Sequence, residues 1–110
     1  MTTTDVSRIG GTARLVDLAL AAVCHPEADV WEAIARLADQ SDAGRHLNRR
    51  YRAAQSPMLR WALVFVAANL GHRGTVPLLI EASVGTGGDD DVEISAARIA
   101  TEALVRLVDY

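Results

Sequence analysis

The stretch Pro57–Glu81, PMLRWALVFVAANLGHRGTVPLLIE, decides the fold class. Ser56 before Pro57 is a helix start: a side-chain oxygen to cap free amides, then a proline where a missing N–H costs nothing. Downstream, Leu59, Leu63, Val66 and Leu70 share one helical face, and Trp61, Phe65 and Ala68 share another. Only Arg60 and Asn69 are polar. A helix that is apolar on nearly every side belongs in the middle of a protein. Gly71 can adopt the left-handed conformation that ends a helix, and Gly74 permits a second bend before a helix from Thr75 to about Val84. The stretch therefore reads as two antiparallel helices joined by a short turn.

Working outward, no segment alternates with period two for long enough to make a strand, and the remaining apolar spacings are three and four. Residues 1–11 read as a frayed lead-in, and residues 12–110 as one all-helical domain. Thr12 is a candidate cap for a mostly buried first helix ending before Pro26. A second helix sets Val30, Trp31, Ile34, Leu37 and Ala38 against Glu32, Arg36 and Asp39. A third, from Ala43 to Gln55, has a narrow apolar stripe of Ala43, Leu47, Tyr51 and Ala54, with Ser41-Asp42 as its cap. A sixth helix carries Ile94, Ala97, Ile99, Ala100, Ala103, Leu104 and Leu107. It follows a Gly-Thr-Gly-Gly connector and three aspartates that complement its dipole.

Composition agrees. A chain of 110 residues is one domain, and 19 Ala with 12 Leu against 5% aromatics suits thin, closely packed helices. The longest apolar run, Trp61 to Ala68, falls well short of the ~20 residues needed to span a bilayer. Without a basic-then-apolar leader, and with Cys24 as the only cysteine, a reducing cytoplasm is the expected location.

Charge is unevenly distributed. Ala43 to Ile80 contains six arginines and no acid, so that window is +6 while the rest of a −3 chain is −9. Such a split steers an anionic partner to one face or brings two copies together.

The order of small, large and turn residues in Leu59-Arg60, Ala62, Val66, Leu70-Gly71 and Val76-Pro77-Leu78-Leu79-Ile80-Glu81 resembles a HEAT-type helical repeat of the short bacterial kind. A partial second copy runs through Ala96-Ala97, Ala100, Ala103-Leu104 and Leu107, which lies 37 residues after Leu70. Where such turns usually hold Asp-Pro, this chain has His72-Arg73, and the first three helices are degenerate repeats or a cap. The resemblance implies about six helices packed as antiparallel hairpins in a right-handed stack. It also implies a non-catalytic scaffold that presents a surface to a partner. The helix count and size also resemble six-helix adaptors of the death-fold class.

The candidate partner-binding residues are Arg45, Arg49, Arg50, Arg52 and Arg60. Arg45, Arg49 and Arg52 repeat at four and three residues and so project from one side of the third helix, with Arg50 and His46 on the adjacent strip. Guanidinium groups in a row bind carboxylates or phosphates. The favoured partner is another protein or a second copy; nucleic acid is the weaker alternative, because the helix-turn-helix reading lacks the turn glycine and the chain is acidic. No cofactor, metal or catalytic residue is expected. Cys24-His25 with His46 and His72 lacks the spacing of a zinc site and reads as a buried or half-buried cysteine at a helix end. The Gly85–Gly88 stretch lacks the Lys-Ser/Thr of a phosphate loop. Asp89-Asp90-Asp91 with Glu93 lacks the alternate spacing of a calcium loop. Trp61 and Phe65 read as core, and Glu81 and Glu102 have no paired carboxylate.

Overall fold

A side-chain cap and a left-handed glycine bracket the central helix, as the sequence requires. In the computed structural model, Ser56 Oγ accepts from the Leu59 amide at 3.4 Å and Gly71 closes the other end at φ 76°. The structure describes residues 2–25, 27–84 and 91–108, with side chains from Gly11 onward and up to Leu107. They form α1 (Thr2–Cys24), α2 (Val30–Ala38), α3 (Ala43–Ala53), α4 (Pro57–Leu70), a 3-10 turn (Arg73–Thr75), α5 (Val76–Val84) and α6 (Asp91–Val108). The fold is all-α, with no strand among the described residues.

Helix α4 is the packing centre. Its Ala62, Leu63, Val64, Val66, Ala67, Ala68 and Leu70 are buried, and α1, α2, α3, α5 and α6 all contact it. Helix α6 packs most extensively, covering both α4 and α5 through Ala96, Ala100 and Ala103, whose small side chains bring the helices close. On the other side, α1 lies against α2 and touches α3 and α4. Leu37, Leu47, Leu63, Leu78 and Leu79 are fully buried, each contributing about 1.5–3 kcal/mol relative to exposure.

Five local readings change. Helix α1 starts at Thr2 rather than Thr12, running through Gly10-Gly11 and the stretch that reads as a frayed lead-in. Thr12 is accordingly a buried residue inside α1, not a cap. Trp31 shares the apolar face of α2 yet is 60% exposed, because it sits at the rim, its ring 6.0 Å from that of Phe65. Leu18, Met58 and Leu59 are likewise exposed, so α1 has an open side and α4 is not enclosed at its first turn. Cys24 is exposed rather than buried. The Gly85–Gly88 connector, Asp89 and Asp90 lie outside the described residues, while Asp91 and Glu93 occupy the first turn of α6.

The tightest approach joins α3 to the α4–α5 turn. A Cβ on Gly44 would stand 2.7 Å from the Gly74 carbonyl carbon and 2.9 Å from its Cα, closer than side-chain carbons come to backbone. Asn48, one turn along α3, reaches across the same junction: its amide nitrogen donates to the Gly74 carbonyl at 2.7 Å and its amide oxygen accepts from the Leu78 N–H at 3.2 Å. One side chain thus supplies a partner to the turn and to the first turn of α5, where backbone amides lack intrahelical acceptors. His72 Nε2 lies 2.9 Å from the Ala38 carbonyl. A carbonyl only accepts, so Nε2 carries the proton and ties the turn to the end of α2. Buried Thr75 completes the turn by donating to the His72 carbonyl at 2.7 Å.

Replacing glycine by alanine inside a helix ordinarily stabilises by about 0.5–1 kcal/mol. At Gly44 the collision is with backbone that cannot rotate away, and overpacking costs about 1–3 kcal/mol. Gly44→Ala therefore lowers the urea midpoint, whereas Gly11→Ala, whose Cβ meets nothing within 4 Å, raises it. Equal shifts of the same sign at both positions would contradict the junction.

Candidate functional site

The five candidate arginines divide by what they touch. Arg60 is drawn inward: one guanidinium nitrogen donates to the Ala54 carbonyl at 3.1 Å and the other to Glu93 at 3.0 Å, with both charged side chains mostly buried. It fastens the end of α3 and the start of α6 to α4. Nearby Tyr51 is half-buried, and desolvation raises its phenol pKa above the ordinary value. Arg50 turns toward α1 and pairs with Asp17 at 2.7 Å. A partly exposed pair of this kind contributes about 1 kcal/mol or less, but it fixes where the side chain points.

Arg45, Arg49 and Arg52 are exposed and make no ion pair or side-chain hydrogen bond among the described residues. With a rise of about 1.5 Å per residue, they stand about 6 and 4.5 Å apart along α3. The structure adds Arg73, which is also exposed and unpaired among the described residues. Arg73 sits in the 3-10 turn, and the Gly44–Gly74 contact brings that turn against the start of α3. Arg45 and Arg73 therefore line one open crevice of about 590 Å³, with Ser41, Asp42, Gly44, Asn48, His72 and Gly74 forming the rest of its wall.

The one acid in the crevice wall is engaged within the molecule. Asp42 occupies the N-cap position of α3 but makes no side-chain bond to the helix amides. Its Oδ1 instead accepts from the buried Thr12 hydroxyl at 2.7 Å, and its Oδ2 lies 3.3 Å from His46 Nε2. The Thr12 hydrogen bond is the main cause that holds the Asp42 carboxyl below its usual pKa; desolvation opposes it, and a backbone hydrogen bond and the neighbouring His46 add to the lowering. This carboxylate links α1 to the α2–α3 turn.

Among the described residues, no group of three or more His, Cys, Asp and Glu could hold a metal ion. No helix among the described residues is long and apolar enough to cross a membrane. The sequence matches no family model, no curated protein and no solved structure.

Asp42 has a lower pKa folded than unfolded, so its stabilisation is complete above the unfolded value and is lost as pH falls through the folded one. Thr12→Val removes the hydroxyl donor. The stability gap between wild type and Thr12→Val, measured by urea melts across pH, is expected to be constant near neutrality and to narrow below about pH 4. A gap independent of pH down to the acid transition would contradict the link.

Proposed function

We propose that this chain is a small non-catalytic interaction module with HEAT-like helical hairpins, whose α3 face binds a protein partner or a second copy of itself. The observation that carries this reading is the division among the arginines. Arg50 and Arg60 are used within the molecule, while Arg45, Arg49 and Arg52 form a solvent-facing row without partners among the described residues. Long charged side chains held on a rigid helix against a packed core form a surface suited to carboxylates, which guanidinium groups engage in pairs of hydrogen bonds.

The architecture supports a scaffold role. The α4–turn–α5 hairpin that resembles the repeat family carries the core, with Leu63, Leu78 and Leu79 fully enclosed, and its helices pack against α3. The cytoplasm is the compartment that this reading assigns, in keeping with an exposed, unpaired Cys24.

Charge reversal of the row, Arg45→Glu with Arg49→Glu and Arg52→Glu, abolishes capture of the native partner and any concentration-dependent mass in light scattering. Because all three side chains are exposed, helical circular dichroism and the melting midpoint stay close to wild type. Capture and mass both unchanged in a folded triple variant would remove the α3 face from consideration. A mobility shift with single-stranded or duplex DNA that falls steeply with salt would transfer the row to nucleic acid instead.

A further inference from the structure

Arg45 and Arg73 come from different elements, yet the Gly44–Gly74 approach sets them on the wall of one crevice. Neither has an ion-pair partner among the described residues. The only acid on this wall is Asp42, so two arginines against one aspartate leave a formal charge of +1. That count matches a single carboxylate better than a phosphate, which carries about −1.5 to −2 at neutral pH. Beyond the crevice, Arg49 and Arg52 continue along α3. The ~6 Å from Arg45 to Arg49 is close to the ~6.6 Å between side chains on one face of an extended chain.

We propose that the crevice between Arg45 and Arg73 is the specificity pocket of the α3 face, taking one carboxylate of an extended acidic peptide segment whose following acids lie along Arg49 and Arg52. This rests on the α3 reading and deepens it: Arg73, outside α3 and about thirty residues away in sequence, becomes part of the same surface. His72 Nε2 is occupied by the Ala38 carbonyl, and Asn48 is occupied by Gly74 and Leu78, so the polar wall is held in place before anything binds. Pre-organised walls lower the ordering cost of association. An acidic peptide is favoured over nucleic acid because the molecule as a whole is −3 and repels a long polyanion outside this patch.

The test uses a fluorescein-labelled peptide of alternating Glu and Ser, a matched peptide of alternating Gln and Ser, inorganic phosphate, and a single-stranded oligonucleotide, each against the full chain at low salt. The Glu peptide is expected to bind and the Gln peptide not, with phosphate and oligonucleotide competing poorly. Arg45→Glu and Arg73→Glu should each weaken binding about tenfold or more. Arg98→Glu, the same charge change at an exposed position on α6, should leave it unaltered. Equal loss from Arg98→Glu would mean only a global charge effect, and tighter binding of the oligonucleotide or of phosphate would assign the pocket to phosphate; either overturns the proposal. No binding of the Glu peptide overturns it as well. If Arg49→Glu and Arg52→Glu weaken the peptide while Arg45→Glu and Arg73→Glu do not, the crevice is refuted and the α3 row stands.

Discussion

The contact between Gly44 and Gly74 is the constraint from which the arrangement of α3, the turn and α5 follows. It is a backbone-to-backbone approach, so no rotamer change can relieve a substituent placed there. Bringing a helix this close to a turn creates a demand for hydrogen-bond partners at the junction. Asn48 meets that demand with both ends of its amide, and Thr75 meets it from within the turn. The geometry that makes α3 rigid also carries Arg73 to the side of Arg45. Packing and surface chemistry are thus consequences of one missing methyl group.

The polar links follow a common pattern of joining elements distant in the chain. Thr12 to Asp42 joins α1 to the entrance of α3; Arg50 to Asp17 joins the same two helices farther along. Arg60 joins α3, α4 and α6, and the Trp61 indole N–H donates to Ser95 Oγ at 3.1 Å across the α4–α6 seam. The partly exposed Arg50–Asp17 pair is worth about 1 kcal/mol or less, and the mostly buried Arg60–Glu93 pair offsets its own desolvation cost only through its hydrogen bonds. Their contribution is to register, since alanine-rich interfaces leave helices free to slide unless a directional bond fixes them. The apolar core supplies most of the stabilisation, and the polar links select one arrangement of it.

What was legible in the sequence was what local chemistry determines. Ser56-Pro57 and Gly71 bound α4 because a cap, a proline and a left-handed glycine act within a turn of themselves. The beginning of α1 was illegible for the opposite reason: Gly10-Gly11 has a strong local preference that the helix overrides. Helical periodicity put Trp31 on the apolar face of α2 but could not distinguish its centre from its rim. The arginines show the limit most clearly. Arg49 and Arg50 are neighbours, and whether each is unpaired or engaged depends on Asp17, more than thirty residues away. Arg73 has no sequence signal linking it to Arg45 beyond a glycine in the first turn of a helix and another in a turn, a pairing that acquires meaning only in three dimensions.

Trp31, Phe65 and Trp61 form a short ladder, with ring centroids 6.0 and 5.5 Å apart, and it crosses the molecule's main division. Trp31 belongs to α2, on the side covered by α1. Trp61, bonded to Ser95, reports on the side covered by α6. Phe65 on α4 stands between them and does not fluoresce at indole wavelengths. The two indoles are therefore independent gauges of the two layers packed on one helix. Replacing either by phenylalanine leaves the other to show whether the layers separate in one step or in sequence.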